Sequence, residues 1–285
     1  MLSVHNFQYG ALTPALGYLM SFLGSFIGLR CTARSQVSSG PSRIRWLIVG
    51  AVSIGITGIW VMHFIAMLGF AIPGETIRYS VPITLGSMLL AVTFVLIGLL
   101  IVGLRQPTLR TLLLGGVITG LGVAAMHYSG MAAMRMPARM GYNPELFAAS
   151  VVIAIVAATA ALWAALRLRG FWPTLAAAAI MGVAVSWMHY TGMAAMHVYR
   201  PAGAPMAMGG ASAEAFLLPL IVGISLITFV MTATIALSPT DAEIAQEAEL
   251  MRKIDTARAQ PQSVPNPIIV SSPARPQEPR SPTLP

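Results

Sequence analysis

Apolar residues run through this chain in seven uncharged stretches, each long enough to cross about 30 Å of hydrocarbon. They cover 11–29, 46–70, 81–104, 111–134, 146–166, 172–196 and 216–237, and none holds an Asp, Glu, Lys or Arg. A large buried helix of a soluble protein keeps a polar face, which these stretches lack. The pattern predicts an all-α membrane protein with seven transmembrane helices.

Composition agrees: 56% of the 285 residues are hydrophobic and 9% are charged, the balance of a polytopic membrane protein. Charge adds an orientation. With the N-terminus outside, the inner loops hold eight arginines (30, 34, 43, 45, 105, 110, 167 and 169), and the outer segments hold four (78, 135, 139 and 200). Basic residues in short loops favour the inner side, so the bias predicts N-out/C-in. The first stretch has no basic leader ahead of it and arginines behind it, the order of an anchor rather than a cleaved signal peptide.

The net charge of +8 then reflects topology and contact with the anionic headgroups of membrane lipid. No nucleic acid is expected, because the basic residues are scattered and lack interleaved aromatics. Cys31 is the single cysteine. It excludes a disulfide within the chain and a Cys-x-x-Cys metal site.

Four regions follow. Residues 1–10 form an outer leader, and 11–237 the membrane domain. Ser238-Pro239-Thr240-Asp241 is a helix-start signal, which predicts a juxtamembrane cytoplasmic helix over 238–259. Prolines at 261, 265, 267, 273, 276, 279, 282 and 285 predict a Pro-rich disordered tail over 260–285.

Three of the apolar stretches carry one phrase. It reads Met62-His63-Phe64-Ile65-Ala66-Met67, then Met126-His127-Tyr128-Ser129-Gly130-Met131, then Met188-His189-Tyr190-Thr191-Gly192-Met193. The spacing fits two helices per copy. All three motif helices therefore cross in one direction, giving three parallel two-helix repeats plus one further span. An ionisable residue inside a membrane span marks a functional site by default. Each histidine lies about seven residues from the outer end of its stretch, on the order of 10 Å deep.

On a helix, the residue four after each histidine shares its stripe, and so does the one seven after. That aligns His127 with Met131 and Met134, and His189 with Met193 and Met196. The residue three after is small in every copy (Ala66, Gly130, Gly192), which admits a close helix or a ligand. The aromatic that follows each histidine points off the stripe, suited to packing or to a supporting hydrogen bond rather than to ligation. Imidazole and thioether are neutral donors that can be held in low dielectric, and together they suit copper, particularly Cu(I). Haem, which takes His and Met as axial ligands, and plain helix packing are the competing accounts.

The three phrases resemble those of the MHYT domain, a seven-span integral membrane sensor domain of bacteria. The likeness extends over nearly all of 11–237, with motifs in the second, fourth and sixth spans near the outer face. It implies a sensory module in the bacterial cytoplasmic (inner) membrane, suggested to bind copper and to detect a diatomic gas: oxygen, carbon monoxide or nitric oxide. Carried over residue by residue, the metal ligands are Met62, His63, Met67, Met126, His127, Met131, Met188, His189 and Met193. Phe64 and Ile65 depart from the motif's Tyr and Thr or Ser. Relatives often join the domain to cyclic-dinucleotide enzymes, but no phosphate loop or nucleophile–base set follows the last span here. The expectation is a non-enzymatic input module that signals through a separate cytoplasmic protein. A copper transporter or reservoir is the alternative function, with Met134, Met136, Met140, Met206 and Met208 as further thioethers on the outer side.

Overall fold

The computed structural model describes residues 2–106, 108–199, 209–237 and 249–256. Seven helices are long and apolar enough to cross a membrane. They are α1 (Leu12–Val37), α2 (Gly40–Leu68), α3 (Val81–Leu104), α4 (Leu109–Ala132), α5 (Pro144–Arg167), α6 (Phe171–Ala195) and α7 (Leu218–Leu237), the last entered through a π-helical turn at Ala213–Leu217. The chain is a multi-pass, all-α membrane protein.

The sequence places Arg30, Arg34, Arg43 and Arg45 in a loop, whereas the structure puts them on α1 and α2. The apolar pattern ends where hydrocarbon would end, but a helix continues as long as its side chains find partners. The Arg34 guanidinium stands 5.1 Å above the Trp46 ring, a cation–π contact. Arg43 donates to the Gly103 carbonyl near the end of α3. Two residues, Ser38 and Ser39, separate the helices, and Gly40 supplies the positive φ of 55° that turns the chain.

Each of the first six helices packs on its chain neighbour, and α1 also packs on α6, so the six close into a ring. α7 lies outside the ring against α1 and α2. Small residues make the seams, as expected where lipid gives helices no hydrophobic reason to associate. A Cβ on Gly24 of α1 would overlap the backbone of Gly58 on α2. Buried polar groups are paired across helices: Thr57 Oγ1 and Thr228 Oγ1 are 2.8 Å apart, and Trp60 Nε1 donates to Ser87 Oγ at 3.1 Å. Within α2, residues Ser53–Val61 are π-helical, a local widening often found beside functional sites. The motif begins at the next residue, Met62.

All three motif helices end on one side of the bundle, and the segments beyond them pair rather than loop freely. Strand β1 (Arg78–Tyr79) lies between β2 (Met134–Arg135) and β5 (Ala211–Ser212), antiparallel to both. Strands β3 (Arg139–Tyr142) and β4 (Met196–Tyr199) form a second antiparallel pair, with Tyr142 opposite Met196. The N-terminal leader joins this cap: His5 and Ala71 exchange backbone hydrogen bonds of 2.8 Å, and Leu2 N donates to Val198 O at 2.8 Å. Short pairings of this kind satisfy the backbone groups that a helix end leaves open.

Met1–Leu237 form one compact unit and Ser238–Pro285 another. In the second, 249–256 is helical, with Glu249 and Lys253 one turn apart in an exposed 2.9 Å ion pair. The rest of the 238–259 expectation, the tail over 260–285, Arg200, Met206 and Met208 lie outside the described residues.

Candidate metal centre

Three histidines, 64 and 62 residues apart in sequence, meet at one point inside the ring. His63 of α2, His127 of α4 and His189 of α6 are each no more than 1% exposed. They form the one group of three or more His, Cys, Asp or Glu side chains, among the described residues, with ligand atoms close enough for a shared metal ion. His63 Nδ1 is 3.0 Å from His189 Nδ1 and 3.2 Å from His127 Nδ1. The ring planes cross at 77–88° with centroids 4.9–5.1 Å apart.

Equal depth brings them together. His63, His127 and His189 precede the ends of their helices, Leu68, Ala132 and Ala195, by five, five and six residues. At 1.5 Å per residue they share a level about 8 Å below those ends. Lateral approach depends on the small residue three positions after each histidine. A Cβ added at Gly130 would fall within 3.0 Å of His63 Nε2 and Cδ2, and one at Gly192 equally close to His127 Nε2 and Cδ2. The His63 and His127 rings are therefore each seated on the glycine of the next motif. Gly130 and Gly192 make room for histidines of other helices, a role that sequence spacing could not assign.

The donor set fits a cation. Among three neutral imidazoles facing one another through Nδ1, each nitrogen carries either a hydrogen or a lone pair. His63 Nδ1 faces both other Nδ1 atoms, and its one hydrogen or one lone pair must be divided between the two. The outward nitrogens, Nε2 of all three, have no hydrogen-bond partner. An ion on the Nδ1 side leaves these outward groups unpaired, at about 1–3 kcal/mol each, and it is the inward nitrogens that it satisfies. A cation at the common focus takes up all three inward lone pairs at once.

The aromatics of the motif pack, as their position implies. Phe64, Tyr128 and Tyr190 each meet the edge of their own histidine at 4.8–4.9 Å. Phe64 also touches Trp60 and Tyr79, and burial raises the Tyr79 phenol above its ordinary range. Tyr128 Oη is 2.6 Å from Ser150 Oγ of α5, so its hydroxyl turns away from the histidines.

The six motif methionines, Met62, Met67, Met126, Met131, Met188 and Met193, are all buried, at 4% exposure or less. They are spread around the triad. Met62 Cγ lies against Gly17 of α1, Met67 lines a groove between α1 and α7, and Met188 lines an interior cavity. Met134 and Met196 do not continue the helical stripe. Helices α4 and α6 have ended by then, and the two residues sit in β2 and β4. Met134, Met136 and Met140 instead line a depression on the cap. His5 and His197 join the cap through its backbone pairing.

The model of the MHYT family, described as a bacterial signalling protein N-terminal repeat, matches residues 57–115 and 120–178. The chain belongs to the MHYT family. The first two motifs fall inside those matches, and the third, at 188–193, lies beyond them. A bifunctional diguanylate cyclase/cyclic di-GMP phosphodiesterase of Pseudomonas aeruginosa, MucR, is 39% identical over 193 residues, covering 66% of this chain and 28% of that protein. The cyclic di-GMP phosphodiesterase NbdA of the same organism is 39% identical over 227 residues, 78% of this chain and 28% of its own length. The signaling protein YkoW of Bacillus subtilis is 29% identical over 204 residues, 69% of this chain and 25% of its own. The chain thus spans little more than a quarter of these relatives. No solved structure matches it. What the family and the seven helices establish is a membrane sensory signalling module.

Proposed function

We propose that this MHYT module binds one copper ion, as Cu(I), at the three-histidine centre and senses a diatomic gas or redox state there. The carrying observation is the convergence of three neutral, fully buried imidazole nitrogens that have only one another as partners. Imidazole is a good copper ligand, and thioether sulfur favours Cu(I) in particular. The uncharged donor set places no anion in hydrocarbon. Motif methionines serve as further ligands or as a soft apolar wall around the ion. The His63 and His127 rings lie directly on Gly130 and Gly192, and the three ring centroids stand only 4.9–5.1 Å apart, a spacing that suits an ion better than a porphyrin.

In this reading the N-terminus faces outside in the bacterial cytoplasmic membrane, so the centre lies toward the outer face. The chain performs no catalysis itself. A gas that binds the ion shifts the balance of two bundle states by its differential affinity for them, and the segment after α7 passes the change to a cytoplasmic signalling partner. Infrared spectroscopy of Cu(I)-loaded protein under carbon monoxide tests this. A C–O stretch present in the wild type and absent in His127→Ala is the expected result. An identical spectrum in both would remove the gas-binding centre.

A second reading, copper storage or transfer, draws on the cap depression lined by Met134, Met136 and Met140. Its discriminating feature is copper stoichiometry above one per chain, lowered by replacing those three methionines.

A further inference from the structure

A small cavity of about 50 Å³ lies in the centre of the ring. One water needs roughly 10–15 Å³, and a drug-sized ligand several hundred. The space suits a guest of a few atoms. Its position is tied to the histidines: Ile59, Val123 and Val185 all line it, and they precede His63, His127 and His189 by four residues each. Met188, the neighbour of His189, also forms part of the wall.

The lining is chemically selective. Ser25 and Thr119 are its only polar side chains among the described residues, the bare minimum of the two to four partners that hold a buried water, and Thr119 Oγ1 already donates to the Phe94 carbonyl. Helix α5 contributes Ala154 and Ala158, where any larger side chain would fill the space. Val185 is half-buried, so a side chain that lines the cavity also reaches toward the surface that lipid would cover. An apolar gas dissolves in hydrocarbon and can enter from that side, whereas ions and polar solutes cannot.

We propose that this cavity is a docking chamber for an apolar molecule of diatomic size, holding it one helical turn from the histidine centre. The proposal rests on the reading of that centre as a gas sensor, and it assigns the residues that concentrate and admit the gas. Ile59, Val123, Val185 and Ala158 then set which guest is retained, by size and apolarity.

Xenon is the probe, because it needs no metal. Full-length protein with labelled methyl groups, in phosphatidylcholine nanodiscs, is titrated with xenon and followed by NMR, both metal-free and copper-loaded. The expected result is saturable shifts at the methyls of Ile59, Val123 and Val185, against a linear response at Leu89, which is 63% exposed on the helix surface. Ala158→Leu should abolish saturation. Val123→Ile, a milder filling, should move it to higher pressure, and it decides the matter if the leucine variant does not fold. A linear response at every methyl, or saturation unchanged in the variants, overturns the chamber. Copper uptake without xenon saturation removes the chamber and leaves the centre. Xenon saturation without copper uptake keeps the chamber and removes copper.

Discussion

His63 Nδ1 and His189 Nδ1 stand 3.0 Å apart although 126 residues separate them in the chain. Among the described residues, the one other hydrogen-bonding partner of this pair is His127 Nδ1, 3.2 Å from His63 Nδ1. Three donors held this way, inside helices that hydrocarbon would surround, form a cavity for positive charge built from neutral groups.

Seating by glycine gives the first prediction. Gly130→Val and Gly192→Val should each abolish copper binding while the protein still inserts, because the side chain would occupy the volume of the His63 or His127 ring. Overpacking of this kind costs about 1–3 kcal/mol of stability. Gly86, where a Cβ meets nothing within 4 Å, is the control. Gly86→Ala should keep copper and gain roughly 1 kcal/mol from helix propensity. Copper content and thermal unfolding of the three variants, measured side by side, check the point. Copper retained in both valine variants would mean that the rings need no such seat.

The tyrosine of the second motif supplies the next. Tyr128→Phe removes the 2.6 Å bond to Ser150, worth about 1 kcal/mol, and restores the residue type that the first motif already carries in Phe64. Unfolding should occur slightly earlier with unchanged copper stoichiometry and affinity. A loss of copper in this variant would show that the hydroxyl acts on the centre.

Orientation can be read from either end of α3. Thr76 and Gln106 are both exposed, beyond opposite ends of that helix. Native Cys31 is buried, so a new cysteine gives a clean signal. In intact cells a membrane-impermeant maleimide should label Thr76→Cys and spare Gln106→Cys until lysis. The reverse pattern would put the histidine centre at the cytoplasmic face and end the argument for an outward-facing sensor.

Much of this architecture was legible in the sequence, because a membrane span must satisfy its backbone internally and therefore appears as a long uncharged run. His63, His127 and His189 could likewise be placed at one depth from their spacing alone. The helix ends could not: Arg34 extends α1 and Arg43 extends α2, because a cation at a membrane edge is tolerated once an aromatic face or a helix-end carbonyl accepts it. The pairing of Met134 and Met196 in strands rather than helix depended on the cap that the leader and three connecting segments build together. Convergence of the three Nδ1 atoms was hidden for a similar reason. It follows from the ring closure of α1 on α6 and from glycines that receive side chains of other helices, neither of which has a local sequence signature.

The most direct test of the copper centre is metal analysis of the purified protein, with an absorption spectrum taken on the same sample. After anaerobic Cu(I) loading and desalting, we expect one copper per chain and no Soret band. His63→Ala, His127→Ala and His189→Ala should each lose the ion while still inserting, since alanine is readily accommodated in a span. Copper unchanged in all three variants, or none bound by the wild type, would contradict the account.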